Sequence, residues 1–472
     1  MIFNRIEKDY IIPLTGRRRS AWAPISRNLT TVIGMPGALL SYTDVQVRVI
    51  TVPVLVKAEN ISDLQKVKED MADWLVHDEP KELIFKDEPD RVYYALVDGE
   101  LELDEIFSTG RGEITFICPD PYKYGPEKVY QTDQDTFIIE NEGTAPTKPI
   151  FELTCKQPVT FAMVSDGERY NMIGRPADVD EQIVDPKTLL LAENGTTIDE
   201  WTPAPPDMEG GSQGTIGYDG AGITAPSYGT GTGYHGPSVF KEVPPTQDFE
   251  IELRGQLYTD HVNQTGRFGF FLFDEQMRQI AFMAAVDNSI YVQRKLAEGR
   301  IGPYIGDYRN YIVSSRNYQK QWDNFPALLR LTRQGDTYTF YVARVLGDGR
   351  HMEPLTASWT VWEDKFRGPL KYVGIFIEKY GNSASPHTNR IDYIKTYALT
   401  PQIEDKTPYI AHEGDVITFD HTTNELLLNG EDAKRLKDFG GEYFDLPKGY
   451  TALTILPEGA FDTKVRFRPR YR

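Results

Sequence analysis

Only one stretch of this 472-residue chain repeats its apolar residues at a helical interval. The segment NISDLQKVKEDMADWLVHDEP, residues 60–80, sets Ile61, Leu64, Val67, Met71, Trp74 and Leu75 on one face and stops at Pro80. Ser62, with Gln65 three residues on, reads as the N-cap of a helix over Asp63–Val76. The remaining apolar residues come in short β-branched and aromatic runs broken by Gly and Pro, of which the chain has 39 and 31. A chain patterned in this way must bury its apolar surface between packed sheets. Its length exceeds what one core usually organises, so more than one domain is expected.

Val45–Val56, VQVRVITVPVLV, reads as a strand with an edge or bend at Pro53. RVYYALVDGELELDEI places Asp98-Gly99 between two alternating runs, a hairpin signal, and GRGEITFICPD adds a strand that ends at Cys118. NEGTAPTKPIFELTCKQPVTFAMV starts a second strand set. Its pattern breaks off and resumes only in GDVITFDHTTNELLLNGEDA and YFDLPKGYTALTIL, so one β domain split by an insertion is expected. The insertion opens on the Gly-dense APPDMEGGSQGTIGYDGAGITAPSYGTGTGYHGP. It continues through eight short strand candidates, DFEIELRGQL, GRFGFFLFD, RQIAFMAAV, SIYVQRKL, ALLRLTRQ, TYTFYVARV, KYVGIFIEKYG and RIDYIKTYAL, the spacing of a sandwich or jelly roll.

Seventy acidic against fifty-one basic residues give a net charge of −19, which repels phosphate backbones and anionic membrane surfaces. Sequence-specific nucleic-acid binding and membrane insertion are not expected. The first twenty residues hold no secretory apolar core, so a chain made and folded in cytoplasm is expected. Two cysteines, Cys118 and Cys155, suffice neither for a disulfide framework nor for a thiolate cage.

Candidate chemistry is sparse. Gly231, Gly233 and Gly236 satisfy a dinucleotide fingerprint, but Pro237 stands where the phosphate-binding helix should begin. Asp178, Asp180, Glu181 and Asp185 lack the glycine of a calcium loop. Asp199 and Glu200 beside Trp201 cannot supply the paired carboxylates of a glycosidase, because neighbouring side chains on a strand point to opposite faces. The seven histidines show no zinc spacing, and Cys118 has no basic neighbour in sequence to make it nucleophilic. No metal or cofactor is expected. The insertion carries Trp322, Trp359 and Trp362 with Tyr304, Tyr308, Tyr311 and Tyr318 in loop-like stretches. Flat rings of this kind stack on sugar faces, and they also fill cores. Trp322, Trp359, Trp362 and Tyr308 are the candidate carbohydrate-binding residues.

FKDEPDRVYYALVDGELELDEI followed by GRGEITFICPDPYKYG resembles the N-terminal domain of the distal tail (Dit-like) proteins of long-tailed bacteriophages. The Asp-Glu-Pro-Asp-Arg-x-Tyr-Tyr hairpin, the Asp-Gly-Glu turn, the closing Cys-Pro-Asp-Pro-Tyr and the helix carry the likeness. GDVITFDHTTNELLLNGEDA and YFDLPKGYTALTIL resemble the galectin-like second domain of that family. KYVGIFIEKYG and RIDYIKTYAL are similar to the end of a concanavalin or laminin-G-like jelly roll. The resemblance implies a mainly β protein. An α+β ring domain would span 1–130, a galectin-like β-sandwich 131–184 and 406–472, and a jelly-roll, carbohydrate-binding-like module 185–405.

What the resemblance implies for function is a non-enzymatic baseplate hub in the virion tail tip, assembled in the host cytoplasm as a homohexameric ring. Its implied partners are the tail tube protein, a tail-associated lysin or tip protein, a receptor-binding protein and host cell-wall glycan. Arg17-Arg18-Arg19 and the terminal KVRFRPRYR are expected to meet acidic neighbours in the assembly or to lie solvated. Two alternatives stay open: a glycoside-degrading tail enzyme, and an insertion that only docks other tail proteins.

Overall fold

The computed structural model describes residues 1–106, 109–178, 181–198, 200–204, 212–304, 322, 324–361, 365–400 and 406–472. It is built almost wholly from β-strands, with one α-helix among the described residues, as the patterning requires. Two compact units divide the chain. The first comprises Met1–Gly174, His412–Leu426 and Lys434–Arg472, and the second Arg175–Ala411 with Leu427–Ala433.

In the first unit, the strands Ile2–Phe3, Lys81–Phe85, Glu88–Asp98, Thr109–Cys118, Arg48–Lys57 and Ile11–Pro13 lie side by side in that order. The helix Ile61–Leu75 buries Leu64, Met71, Trp74 and Leu75 in the core of this sheet, with Phe3 and Phe116. Trp74 meets Phe3 edge to face at 6.2 Å and donates from Nε1 to its carbonyl at 3.0 Å. The N-cap is Asn60 rather than Ser62. Its extended backbone lets the short amide accept from Asp63 N at 2.9 Å, so the helix begins at Ile61, which is exposed rather than packed.

The runs flanking Asp98-Gly99 do not form the expected hairpin with each other. Thr109–Cys118 pairs along its whole length with Arg48–Lys57, and its other edge takes Leu96–Asp98 at one end and Asp104–Ile106 at the other. Cys118 closes that strand fully buried, opposite Arg48. Arg48 is itself buried, and donates from Nε to Pro121 O at 2.7 Å and from Nη1 to Ser20 O at 2.8 Å, which fixes the Pro-Asp-Pro corner. Burial pushes the Cys118 thiol up to about 12, so at neutral pH it is an inert, apolar filler.

The rest of the first unit is a sandwich. One sheet orders Lys128–Thr132, Phe461–Phe467, Ile150–Cys155 and Val416–Asp420, and the other Thr136–Asn141, Gly449–Leu456, Phe161–Ser165 and Tyr170–Gly174. In both sheets strands from before residue 175 thus pair with strands from after residue 411. Both basic runs make ion pairs inside the chain, while Arg17, Arg18 and Arg472 stay exposed, as expected of a solvated run. Arg17 and Arg19 reach Asp87 at 3.1 and 2.8 Å, and Lys464 and Arg466 share Glu152 at 2.9 and 2.5 Å. Arg468 donates to Gly125 O at 2.8 Å and Tyr94 Oη at 2.7 Å, while Arg470–Tyr471 pairs with Lys123–Tyr124 and so ties the sandwich to the N-terminal sheet.

The second unit packs two larger sheets around one core. The first orders Thr215–Tyr218, Ile223–Ser227, Thr388–Leu399, Phe249–Tyr258, Phe325–Gln334, Thr337–Val345 and His351–Thr360. The second orders Thr202–Pro203, Ser238–Thr246, Leu370–Tyr380, Gly266–Asp274, Gln279–Asp287 and Lys295–Ile301. Seven of the eight expected strands are present. The eighth is displaced: Ser289 Oγ accepts from Tyr291 N and Val292 N, a local turn that holds SIYVQR off the sheet until Lys295.

Every residue of Gly266–Asp274 is buried, on both faces of its sheet. Phe268, Phe270 and Leu272 face the main core, whereas Phe271, Phe273, Phe282 and Phe376 form a second cluster on the opposite side. The Arg267–Glu378 ion pair, 2.5 Å apart and almost fully buried, sits beside that cluster, with the guanidinium 4.0 Å from the Tyr234 ring.

Candidate functional site

Residues 25–45 read ISRNLTTVIGMPGALLSYTDV and form a hairpin that belongs to neither layer of the first unit. Ile25–Thr30 pairs with Leu39–Val45 as a two-stranded sheet on its own, and every residue of both strands is exposed. Gly34 and Gly37 take positive φ in the connection, which Met35-Pro36 spans. The hairpin carries Leu29, Ile33, Met35, Leu39, Leu40 and Tyr42 at 53–102% exposure. At roughly 150 Å² or more for each large side chain, these six present about 600 Å² of apolar surface, divided between the two faces of the hairpin because the neighbours Leu39 and Leu40 point to opposite sides. An isolated two-stranded hairpin is at best marginal in water. Arg27 and Asp44 are its charged residues, so little charge opposes burial of this arm against another protein surface.

The sequence reading missed the arm. Its alternation and Gly-x-x-Gly turn mark a hairpin, but alternation cannot say whether the apolar face meets a core.

Of the four candidate sugar residues, Trp322 and Trp359 are among the described residues. Trp322, 4% exposed, is part of the main core of the second unit, so its ring faces are spent on packing rather than presented. Trp359 is half-buried on the strand His351–Thr360, opposite Tyr338 in register and packed against the same core. Trp362 and Tyr308 lie outside the described residues, as do Tyr311 and Tyr318. The retained aromatic of the loop-like group is Tyr304, which is exposed.

The acidic pair weighed for glycoside chemistry is also structural where it is described. Glu200 faces Lys241 at 3.2 Å, and Trp201 is a core residue donating to Glu193 Oε2 at 3.3 Å; Asp199 lies outside the described residues. Among the described residues no cluster of three or more His, Cys, Asp or Glu could hold a metal ion. No helix among them is long and apolar enough to cross a membrane.

Residues 8–118 match the family model of a phage tail protein RIFT-related domain, and residues 390–471 that of a siphovirus-type tail component, C-terminal domain. At both ends the chain is similar to Dit-like phage tail components. The distal tail protein of Bacillus phage SPP1 is 28% identical over 142 residues, 30% of this chain and 56% of that relative. The Dit-like chain therefore spans about half the length of the curated relative it matches. Among solved structures, it is similar to the Dit protein of SPP1, with 21% identity, a TM-score of 0.34, and coverage of 37% of this chain and 73% of the other. It is also similar to the CBM2 module of the evolved Dit of Lactobacillus casei BL23 phage J-1, with 16% identity, a TM-score of 0.37, and coverage of 47% and 100%. The two family matches fall at the two ends of the Dit-like chain, and the second begins at residue 390, before the 406 expected for the last part of the galectin-like domain.

Proposed function

We propose that this Dit-like chain is a structural hub of the tail tip. Its N-terminal domains close into a homohexameric ring that joins the tail tube to the host-binding tip, and its second unit is an inserted lectin-like module that contacts cell-wall polysaccharide. The observation that carries the ring is the apolar arm at residues 25–45, which one copy leaves fully exposed and a heterologous contact with the next copy would bury. A contact of this kind closes when six rotations return to the start. The partners that follow are the tail tube protein on one face, and a tail-associated lysin or tip protein and a receptor-binding protein on the other. The net charge of −19 suits a DNA conduit, since each basic contact would add a salt-dependent phosphate interaction and slow the genome's passage.

The role is scaffolding and adhesion rather than catalysis. Light scattering and negative-stain microscopy of the purified chain test it. The expected result is a particle of six chain masses, seen as a ring with peripheral lobes, and a monomer that stays monomeric with and without a tail tube protein overturns the proposal.

A further inference from the structure

At one end of the second unit, the hairpin of Thr215–Tyr218 and Ile223–Ser227 meets the segment joining Leu370–Tyr380 to Thr388–Leu399. Between them lies an open cleft of about 490 Å³, lined chiefly by polar side chains and including Asp219, Tyr228, Lys379, His387, Asn389 and Arg390. The volume falls within the roughly 300–1,000 Å³ of small-ligand sites. None of these residues belongs to the aromatic set singled out from the sequence.

The cleft is built on a rigid floor. Asn389 is buried and its amide nitrogen donates to Arg267 O at 3.3 Å and Glu378 O at 3.1 Å, which fixes the start of the strand Thr388–Leu399 against two strands of the other sheet. Gly222 lets the hairpin approach this strand closely, for an added Cβ would come 2.5 Å from Ile391 O and 2.9 Å from Arg390 Cδ. Asp219 holds its own turn by accepting from Ala221 N and Gly222 N at 2.9 and 3.0 Å through Oδ1, which leaves Oδ2 towards Arg390, 3.9 Å away.

The charges balance. Arg390 is also held by Asp392 at 2.8 Å, and Lys379 donates to Ser383 O at 2.9 Å, so the cleft is not an anion hole. It sets a guanidinium donor beside a carboxylate acceptor, with the hydroxyl and imidazole of Thr388 and His387 on the rim and the half-buried Tyr228 and Pro386 as apolar surface. A ligand suited to that lining donates and accepts from adjacent positions, carries no net charge and offers C–H surface between its polar groups.

We propose that this cleft is the saccharide site of the second unit, and that its ligand class is a neutral pyranose unit read through a vicinal pair of hydroxyls by Asp219 and Arg390. The assignment rests on the adhesive role given to the second unit above and names the residues that carry it.

The full-length chain is titrated by saturation-transfer NMR with the methyl glycosides of glucose, galactose, rhamnose, N-acetylglucosamine and N-acetylgalactosamine. The expected result is binding of at least one glycoside, weakened tenfold or more by Asp219→Ala and by His387→Ala, with the melting temperature unchanged in the second variant, whose imidazole is exposed. Binding that both variants leave intact overturns the cleft while the adhesive role stands. Binding of none of the five overturns both, and the ring mass measured on the same sample is unaffected by either outcome.

Discussion

If the arm at residues 25–45 makes the ring contact, charge placed on it should dissolve the ring and leave the chain folded. The chosen perturbation is Ile33→Asp with Leu40→Asp. Ile33 is wholly exposed and Leu40 is 54% exposed, so in the single chain Ile33 loses no packing and Leu40 only that of its covered half. Surface changes of this kind alter stability by no more than about 0.5 kcal/mol, less than about 2 °C in melting temperature for a unit of this size. Burial in a neighbour is another matter. Full burial of an Ile or Leu side chain is worth about 1.5–3 kcal/mol, so Ile33 contributes about 2 and the half of Leu40 still to be buried about 1 kcal/mol to each contact. A loss of about 3 kcal/mol weakens each contact more than a hundredfold, before the cost of desolvating two carboxylates. Each copy in a closed ring makes two such contacts. Light scattering at micromolar concentration, with thermal unfolding on the same samples, should show six chain masses falling to one at an unchanged midpoint. Retention of the ring by the double variant refutes the arm as the contact, and a drop of more than about 5 °C refutes its independence from the rest of the first unit.

Two further outcomes follow from buried charge. His421 packs between Phe151, Tyr443 and Phe444, and burial lowers its pKa to about 4. The unfolded chain then binds a proton near 6.5 that the folded chain refuses, so stability should fall by about 3 kcal/mol as pH drops from 6.5 to 4; the difference between wild type and His421→Gln, measured by urea unfolding across that range, isolates this slope, and parallel curves would contradict it. Arg267→Met alone should cost about 3–5 kcal/mol by breaking a buried ion pair, whereas Arg267→Met with Glu378→Met should recover most of it, and equal losses in the two variants would contradict a coupling between the two charges.

How much of this was legible in the sequence depends on what each pattern reports. The helical period located the helix and four of its buried residues, because a single stripe against a sheet is a local property. It misplaced the cap, since Asn60 and Ser62 are both good caps and only the extended backbone at Asn60 decides between them. Seven strands of the second unit showed as apolar runs. Ser238–Thr246 and His351–Thr360 did not, the first because Pro244-Pro245 breaks its run and the second because it is an edge strand with one wet face. Pairing was the harder matter: Asp98-Gly99 is a turn, with Gly99 at positive φ, yet the neighbour of Leu96–Asp98 lies seventeen or more residues on in Thr115–Ile117. Residue type alone could not separate a core tryptophan such as Trp322 from a sugar platform. The cleft was illegible for the opposite reason, because Asp219 and Arg390 are ordinary charged residues until the fold brings them together.

The long segment of the second unit, Arg175–Ala411, enters and leaves by neighbouring strands. Gln182–Val184 and Lys406–Pro408 run side by side as a parallel pair, so the two ends of this long segment are about 5 Å apart. The host sandwich is left at Gly174, the end of an edge strand, where no ladder has to be interrupted. A long segment whose ends adjoin at a sheet edge interrupts no ladder of the sandwich that carries it. That geometry explains how the strands before residue 175 and after residue 411 can still interleave in one sandwich. It also bears on adhesion. A module carried once per chain is repeated around any ring the chains form, and sites too weak to hold singly gain by the effective concentration of their neighbours, often a hundredfold or more where several reach the same surface. The cleft therefore needs only millimolar affinity to hold a particle on a polysaccharide, and the substitutions that abolish the ring should weaken adhesion to such a surface even though they leave every cleft intact.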